Sequence, residues 1–246
     1  MPVKAIGVIP ARFGSTRFPG KPLAEINGKP MLQWVVEGAR QSRLLSEILL
    51  ATDDHRIAEL GRALKIEVIM TDSALPSGSD RVWAAVKDRD VEIVVNIQGD
   101  EPLLDGQLLD RLVLPFEHEP NLNMATLGKP PKSGELASKT TAKLVLNQRG
   151  EAIYFSRFPI PYSRIDAPHG AAICLQHIGI YAYRKAFLRV FCAQGPTPLE
   201  EAEGLEQLRA LYLGARIFVV QVDHDSWGVD TPEDVKKIEQ IMRTKR

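Results

Sequence analysis

The segment from Ile9 to Pro22, IPARFGSTRFPGKP, concentrates basic and conformationally restricted residues. It carries three basic side chains, Arg12, Arg17 and Lys21, together with two glycines and three prolines. Prolines fix the backbone, and guanidinium and ammonium groups bind phosphate oxygens strongly. The formal net charge of the chain is zero, so an anion site must be local. The segment therefore predicts a phosphate-binding loop, and the alternative is a solvated basic turn.

Two common nucleotide-binding loops do not fit this segment. A Walker A loop has four residues between its glycines and a hydroxyl residue after its lysine. Here five residues separate Gly14 from Gly20, and Pro22 follows Lys21. The G-x-G-x-x-G motif of dinucleotide-binding proteins does not occur either. What remains is a strand ending at Pro10 and a basic loop after it, at the edge where open α/β sheets bind ligands.

Candidate metal ligands follow the most apolar predicted strand and precede the last predicted helix. Gln98, Gly99 and Asp100 come directly after the strand at 91–97, and Asp230 stands just before that helix. Mg²⁺ is usually held by one or two carboxylates together with substrate oxygens. Asp is also common in turns and helix caps. The two aspartates are therefore candidate magnesium ligands, with a turn or a cap as the alternative.

A group of small polar residues, Ser77-Gly78-Ser79-Asp80-Arg81, stands at the start of a predicted helix. Small polar side chains here can hydrogen-bond a pyrimidine edge and leave no room for a purine, and Gly78 permits close approach to the backbone. The alternative is a helix cap, which Ser77 suits equally well.

Two arginines, Arg157 and Arg164, flank the proline-stiffened segment FPIPYS. Arginine binds carboxylates through paired hydrogen bonds, so this pair could hold an acidic substrate. The alternative is an exposed loop with solvated charges.

Further along, His177 and Tyr181 lie on the same face of a predicted strand. A lone histidine on an apolar strand is more often a core residue than a ligand-binding one.

Hydrophobic periodicity places these residues on alternating strands and helices. Short β-branched runs predict strands buried on both faces at 3–10, 47–52, 66–70 and 91–97, and amphipathic stretches predict helices at 31–41, 54–64 and 79–87. This alternation predicts an α/β fold, a three-layer α/β/α sandwich with a mixed, mainly parallel sheet. Strands and turns at about 123–183 predict a small antiparallel extension. Helices at 185–193 and 199–213, a strand at 216–222 and a last helix capped by Thr231 complete one domain over 1–246.

Composition excludes several classes of function. Lys+Arg and Asp+Glu both number 31, which gives no overall field for nucleic acid or an acidic membrane. Hydrophobic residues make up 44% and charged residues 25%, as in globular proteins with a substantial core. The sequence shows no signal peptide and no apolar run near the ~18 residues of a spanning helix. The two cysteines, Cys174 and Cys192, lack metal or redox spacing, and a cytoplasmic location is expected.

Several short motifs resemble, in the same order, those of one protein family. They are IPARFGSTRFPGKPL, NGKPML, ATDD at 51–54, SGSDR at 77–81, NIQGDEP at 96–102, YFSR at 154–157, HIGIYAYR at 177–184, LEQLR at 205–209 and VDTPED at 229–234. They resemble the sugar nucleotidyltransferases and, within these, the cytidylyltransferases that activate acidic sugars. The resemblance spans nearly the full chain, which makes it specific.

The resemblance implies a nucleotide-diphospho-sugar transferase fold. The activity that it implies is transfer of CMP from CTP to the anomeric hydroxyl of an acidic sugar, 3-deoxy-manno-octulosonate (Kdo), with release of pyrophosphate, for lipopolysaccharide synthesis. It also implies Mg²⁺ as cofactor and a homodimer. The expected partners are CTP and Kdo, without nucleic acid or membrane. A sugar-binding and dimerisation subregion is expected at about 123–200.

The resemblance also assigns roles to single residues. Nucleotide-binding roles fall on Ala11, Arg12, Ser15, Arg17, Lys21, Thr71, Ser77, Gly78, Arg81 and Gln98. Catalytic roles fall on Arg12, Lys21, Asp100 and Asp230, of which the two aspartates bind magnesium. Sugar-binding roles fall on Arg157, Arg164, His177, Tyr181, Glu206 and Gln207.

Three alternative functions remain open. The first is a cytidylyltransferase for another acidic sugar, such as the 8-amino analogue of Kdo or sialic acid. The second is a hexose-1-phosphate nucleotidyltransferase, whose signature opens with G-x-G-T-R where this chain has IPAR. The third is a non-catalytic nucleotide-binding regulator, against which the two separated aspartates argue.

Overall fold

Strands and helices alternate in the computed structural model, which describes residues 3–15, 17–132, 134–162, 173–224 and 227–244. The strands are β1 (Ala5–Ala11), β2 (Glu25–Ile26), β3 (Lys29–Pro30), β4 (Leu45–Thr52), β5 (Glu67–Met70), β6 (Ile93–Asn96), β7 (Met124–Lys129), β8 (Lys143–Leu146), β9 (Ala152–Ser156), β10 (Cys174–Arg184) and β11 (Ile217–Gln221). The helices are α1 (Met31–Ala39), α2 (His55–Ala63), α3 (Gly78–Val86), α4 (Gly106–Val113), α5 (Pro115–His118), α6 (Lys185–Ala193), α7 (Pro198–Glu203), α8 (Leu208–Tyr212) and α9 (Pro232–Thr244). A short 3₁₀ helix spans Lys21–Leu23.

The chain divides into two compact units, of which the first comprises Met1–Arg111 and Asp225–Arg246. Its parallel strands follow the order β6-β1-β4-β5. Strand β6 is buried throughout and β1 almost throughout, as expected for apolar strands covered on both faces. Strand β5 differs, because it ends this order and leaves Met70 42% exposed. The prediction that it is buried on both faces is wrong.

The second unit comprises Leu112–His224 and pairs its strands mainly antiparallel. Strand β7 pairs parallel with β11 and antiparallel with β10; β10 and β9 both pair antiparallel with β8. Most pairing from residue 124 onward is antiparallel, which agrees with the strands and turns predicted at about 123–183, but β7 and β11 pair parallel. Parallel and antiparallel strands with flanking helices confirm the predicted α/β class with a mixed sheet.

The helix predicted at 199–213 is wrong as a single element. Helix α7 ends at Glu203, the next residue, Gly204, has a left-handed φ of 61°, and α8 begins only at Leu208. Glycine adopts this conformation without steric cost and is therefore a common end of a helix. The periodicity continued across the break, so the apolar pattern alone did not reveal it.

The last helix, α9, packs on the hairpin of β2 and β3 in the first unit. Ile26, Met31, Val229 and Ile238 are almost fully buried in one apolar cluster. The indole Nε1 of Trp34 donates to the carbonyl of Ile26 at 2.9 Å. This cluster fixes the segment that precedes α9 and so the backbone next to Asp230.

Within the described ranges, every helix is too short or too polar to cross a bilayer.

The start of α9 is stabilised by Asp234, and the predicted cap, Thr231, stands directly before its first residue, Pro232. Asp234 Oδ2 accepts the backbone N–H groups of Asp230 and Thr231 and the hydroxyl of Thr231, at 3.0–3.1 Å. Burial raises the pKa of Asp234, but hydrogen bonds from Lys237, Asp230 and Thr231 outweigh burial and lower it overall. The hydroxyl of Thr231 is thus a donor to Asp234, and Asp234 is the residue that stabilises this helix start.

Candidate functional site

The basic loop is shaped by its glycine and proline residues. The carbonyl of Phe13 accepts the N–H groups of Ser15 and Gly20, each at 2.9 Å. Gly20 has a φ of 70°, and a Cβ at this position would lie 2.9 Å from the Phe13 ring. Only glycine fits such a position without strain. The following 3₁₀ helix, with Pro22 near its start, turns the side chain of Lys21 inward, to 16% exposure.

A pocket of about 310 Å³ opens at the carboxyl ends of β1, β5 and β6. It is lined by Pro10, Ala11, Arg12, Ser15, Arg17, Lys21, Pro22, Leu75, Pro76, Ser77, Gly78, Arg81, Gln98, Gly99, Asp100 and Asp230. The residues predicted to bind the nucleotide all lie in this lining except Thr71. The structure therefore brings together residues that lie far apart in the sequence, at the place where α/β sheets bind ligands.

Cations and carboxylates in this pocket pair with one another. Lys21 Nζ lies 2.6 Å from Asp100 Oδ2 and 3.7 Å from Asp230 Oδ1. The guanidinium of Arg17 donates to both oxygens of Asp230, at 3.0 and 3.1 Å. Arg12 is exposed and makes no ion pair with any residue that the structure describes. Two of the three predicted phosphate-binding groups, Arg17 and Lys21, thus lie in one ion-pair network with both predicted metal ligands.

The two aspartates also fit the predicted magnesium ion. Both carboxylates approach one ammonium group, so they already hold a positive charge between them. The side chain of Asp100 is 30% exposed and that of Asp230 is 51% exposed, which leaves room for further oxygen ligands. Among the described residues, no group of three His, Cys, Asp or Glu side chains could hold a metal. Two carboxylates with substrate oxygens are nevertheless an ordinary Mg²⁺ site.

Arg81 is held from outside the pocket by two residues. One guanidinium nitrogen, Nη2, donates to Asp53 Oδ2 at 3.0 Å, and Nη1 donates to the hydroxyl of Thr71. The Arg81 side chain is only 3% exposed and that of Asp53 only 13%. Thr71 therefore contacts the pocket through Arg81. Sequence reasoning missed Asp53, although the ATDD motif at the end of β4 was the available signal.

Ser77 acts as a helix cap in this structure. Its hydroxyl accepts the N–H of Asp80 at 3.2 Å and donates to Asp80 Oδ2 at 2.7 Å. A Cβ on Gly78 would meet only the Pro10 side chain, at 3.7 Å, so no contact within the described protein demands a glycine there. Both residues line the pocket, and their role in reading a base stays a prediction.

In the second unit, Arg157 is engaged with backbone carbonyl groups. Its Nε and Nη2 donate to the carbonyls of Glu203 and Gly204, at 2.8 and 3.1 Å. Its Nη1 donates more weakly to the carbonyls of Lys139 and Thr140, at 3.4 and 3.3 Å. The guanidinium thus holds two segments together, and a carboxylate-binding role stays a prediction. Arg164 lies outside the described residues.

Lys143 supports the same segments from the interior. Its ammonium donates to the carbonyls of Thr141 and Arg157, at 2.9 and 2.6 Å, and to that of Ser138. The side chain is buried, and burial lowers the pKa of Lys143.

Three of the predicted sugar-binding residues form one hydrogen-bonded cluster. The imidazole of His177 packs against Tyr181, with ring centroids 5.5 Å apart. The Tyr181 hydroxyl donates to Gln207 Oε1 at 3.2 Å, and Gln207 Nε2 lies 3.4 Å from His177 Nδ1. Glu206 Oε1 lies 3.9 Å from a guanidinium nitrogen of Arg209. This contact agrees with the prediction that His177 and Tyr181 lie on one face of the strand, whereas their role toward a sugar stays a prediction.

Burial sets the protonation of this cluster. It lowers the pKa of His177 from 6.5 to about 3, so the imidazole is neutral at physiological pH. Burial, followed by the nearby Glu206 charge, raises the pKa of Tyr181, so its hydroxyl keeps its proton. The cluster therefore offers neutral hydrogen-bonding groups.

Comparison with known proteins gives one consistent result. A family model described as cytidylyltransferase matches residues 6–217. A 3-deoxy-manno-octulosonate cytidylyltransferase of Bdellovibrio bacteriovorus is 54% identical over 242 residues, 98% of each chain. One of Solibacter usitatus is 44% identical, over 99% of this chain and 96% of that one. The solved structure of a CMP:2-keto-3-deoxy-manno-octonic acid synthetase complexed with CTP has a TM-score of 0.92 at 40% identity, over 99% of this chain and 100% of that one. The chain is therefore a member of the cytidylyltransferase family.

Proposed function

We propose that the protein transfers CMP from CTP to the anomeric hydroxyl of Kdo and releases pyrophosphate. Relatives that carry this name match nearly the whole chain at 44–54% identity. The observation that carries the proposal is the pocket in which Arg12, Arg17 and Lys21 meet Asp100 and Asp230. Cationic groups suit the triphosphate and carboxylates suit its divalent cation, whereas an uncharged ligand would need neither.

The reaction forms one bond and breaks one bond at phosphorus. The anomeric oxygen of the sugar attacks the α-phosphorus of CTP, while the bond between that phosphorus and the β-bridging oxygen breaks. Pyrophosphate leaves with this oxygen, and the hydroxyl proton passes to solvent. Catalysis of such a displacement rests on positioning and on neutralisation of charge, and no covalent intermediate with the protein is required.

The basic loop supplies the positive charge for this displacement. Arg12 is exposed at the pocket, and Lys21 and Arg17 reach the phosphates by exchanging their carboxylate partners for phosphate oxygens. The cofactor that we propose is Mg²⁺, held by Asp100 and Asp230. When bound, it neutralises phosphate charge and makes the attacking hydroxyl more acidic.

The cytosine end of CTP is placed at the start of α3. Ser77 and Gly78 line this part of the pocket, and Arg81 reaches it from its pair with Asp53. We propose that the small residues Ser77 and Gly78 let the base approach the backbone at this helix start and that Ser77 hydrogen-bonds the pyrimidine edge. For the sugar, we propose that His177, Tyr181, Glu206 and Gln207 bind the hydroxyl groups and that Arg157 and Arg164 bind the carboxylate.

We place the reaction in the cytoplasm, where it supplies activated Kdo for lipopolysaccharide. Cys174 and Cys192 are both thiols that form no disulfide, which agrees with a reducing compartment.

We further propose a homodimer formed through the second unit. Among the described residues, strand β9 pairs with β8 alone, and Ile153 is 57% exposed. Phe158, Tyr162 and Ile173 are also exposed, to 63%, 90% and 60%. Large apolar side chains are rarely left in water in such numbers unless another chain covers them. Light scattering should give twice the mass of the chain, and Ile153→Asp with Phe158→Asp should shift it to the monomer.

One assay tests the activity. The purified protein is incubated with CTP, Mg²⁺ and one sugar, and pyrophosphate release is measured for Kdo, 8-amino-Kdo and N-acetylneuraminate. Release with Kdo at least tenfold faster than with the other sugars supports the proposal. Faster release with another sugar reassigns the substrate, and no release with any acidic sugar favours a nucleotide-binding regulator.

A further inference from the structure

Strand β10 contains a bulge between His177 and Tyr181, two members of the hydrogen-bonded cluster that also includes Gln207. Strand β10 pairs with β7 through Ile178 and Leu127, and then through Tyr181 and Thr126. Two residues of β10 therefore oppose none on β7 at this point. Bulges of this kind redirect backbone and side-chain groups and are frequent next to functional sites.

The bulge brings two backbone carbonyls to one hydroxyl. Thr126 is fully buried, and its Oγ1 lies 2.9 Å from the Ile180 carbonyl oxygen and 3.3 Å from that of Ile178. It also lies 2.9 Å from His177 Nε2. A hydroxyl has one proton, and a carbonyl can only accept. When Thr126 donates to a carbonyl, His177 Nε2 must carry a proton and donate to Thr126.

The hydrogen bonds on the Nδ1 side of the imidazole follow the same donor-to-acceptor order. With its proton on Nε2, neutral His177 presents Nδ1 as an acceptor, and Gln207 Nε2 approaches it at 3.4 Å. Gln207 Oε1 then accepts the hydroxyl of Tyr181. Reversing the chain would deprive the Tyr181 hydroxyl of this acceptor and would turn the Thr126 proton away from the bulge carbonyls. Buried polar groups rarely stay without partners, which favours the observed direction.

We propose that Thr126 is a positioning residue that holds His177 as its Nε2–H tautomer and so directs the hydrogen bonds of Gln207 and Tyr181. The chain runs from Tyr181 through Gln207, His177 and Thr126 to the bulge carbonyls. Because burial also keeps the imidazole neutral, no second ring proton competes with this arrangement.

The consequence for the sugar rests on the proposed function. Since the Tyr181 proton is directed to Gln207, the Tyr181 oxygen faces a ligand as an acceptor. The cluster then selects hydroxyl groups that donate at this position. Loss of Thr126 should therefore weaken sugar binding and leave CTP binding unchanged.

Nitrogen NMR of histidine reads the tautomer directly. In ¹⁵N-histidine-labelled protein without substrate, long-range proton–nitrogen spectra of His177, assigned with His177→Gln, should show a protonated Nε2 and a bare Nδ1. Thr126→Val removes the hydroxyl at similar size, and an Nδ1–H population should appear. Thr126→Ser should keep the wild-type pattern. A protonated Nδ1 in the wild type, or an unchanged pattern in Thr126→Val, overturns the proposal.

Kinetics separate positioning from general damage. Thr126→Val should raise KM for Kdo about tenfold, as expected for one or two lost hydrogen bonds, with KM for CTP within about twofold. Thr126→Ser should restore the wild-type value. Thr52→Val removes an equally buried hydroxyl from the first unit and should leave the His177 spectrum unchanged.

The two proposals fail in different ways. Equal rises in both KM values, with an unchanged spectrum, reduce Thr126 to a structural role. Failure of the wild type to use Kdo refutes the proposed function, yet the spectrum still decides the tautomer. Should Thr126→Val not fold, Thr126→Ala removes the same hydroxyl and takes its place in both measurements.

Discussion

Lys21 Nζ lies 2.6 Å from Asp100 Oδ2, so a predicted phosphate-binding cation is paired with a predicted metal ligand. Arg17 and Asp230 form a second such pair, and both side chains are more exposed than those of Lys21 and Asp100. We therefore expect that binding of a triphosphate and a divalent cation would exchange partners within this network. The triphosphate would take the basic side chains away from the carboxylates, and the cation would take the carboxylates away from the basic side chains. Nucleotide and metal should consequently bind as a coupled pair.

Lys21→Ala tests the basic loop. The ammonium group contributes positive charge at the phosphates, so kcat/KM for CTP should fall at least about 10²-fold. Stability should fall by only about 1 kcal/mol, for the lost hydrogen bond to the Val229 carbonyl. Lys29→Ala, which removes a lysine paired with Glu37 outside the pocket, is the matched control. Near-normal kcat/KM in Lys21→Ala would remove this residue from the site.

Asp100→Asn and Asp230→Asn test the metal ligands. Each substitution keeps the shape but removes the charge that holds Mg²⁺, so turnover should drop at least roughly 10²-fold. The double variant should be little worse than either single one, because both residues act through one ion. Added Mg²⁺ should partly rescue a single variant. Asp90→Asn, at an exposed surface pair with Lys4, controls for the substitution itself.

Without metal, we expect an Asn substitution to strengthen CTP binding, whereas with Mg²⁺ it should lower turnover. In EDTA, Asp100→Asn should bind CTP about tenfold more tightly than the wild type, because Lys21 no longer has its carboxylate partner. Calorimetric titration measures this. Full activity of both Asn variants at low Mg²⁺, or weaker metal-free CTP binding by Asp100→Asn, would contradict the exchange of partners.

Asp53→Asn tests how Arg81 is held. The Arg81 side chain is 3% exposed, and removing the charge of its partner leaves a buried cation uncompensated. The free energy of unfolding should fall by about 3 kcal/mol and KM for CTP should rise about tenfold. Asp72→Asn, which can keep its hydrogen bond to the Ala74 N–H, is the matched control. A fall in stability with an unchanged KM would assign Asp53 a structural role alone.

The sequence predicted most of the strands and helices of the first unit and the grouping of the predicted nucleotide-binding residues in one pocket, for physical reasons. Buried parallel strands such as β1 and β6 are uninterrupted apolar runs, and their carboxyl ends meet at one edge. Residues in the segments that follow these strands, such as Lys21 and Asp100, were therefore expected near one another. The position of a residue along the chain and the apolar character of the preceding strand were enough to predict this grouping.

Other features depend on contacts that periodicity does not encode. The break at Gly204 lies within a continuing apolar pattern, and only its left-handed backbone shows the end of α7. Thr126 and Asp53 act through partners 51 and 28 positions away in the sequence, His177 and Arg81. Such pairs are set by strand register and by the bulge in β10, which no local pattern in the sequence indicates.

Arg157→Ala tests a residue with two possible roles. Its guanidinium donates to the carbonyls of Glu203 and Gly204, so its loss should lower the free energy of unfolding by about 1–3 kcal/mol. If Arg157 also binds the sugar carboxylate, KM for Kdo should rise far more than KM for CTP. Arg149→Ala, at an exposed arginine of the same unit, is the control. Lower stability with equal changes in both KM values would show that Arg157 only supports the fold.

The pH dependence of stability tests the burial of His177. Its pKa is 6.5 when unperturbed and about 3 in the folded protein, because burial disfavours the charged imidazole. Between pH 6.5 and 5, the unfolded chain thus binds a proton that the folded protein does not bind. This group should therefore make the free energy of unfolding fall, as pH falls, by up to about 1.4 kcal/mol per pH unit. Denaturant unfolding of His177→Gln should show a profile flatter by that slope, whereas His118→Gln, at an exposed histidine, should follow the wild type. Parallel profiles for the wild type and His177→Gln would mean that the imidazole is already protonated, or equally accessible, in the folded state.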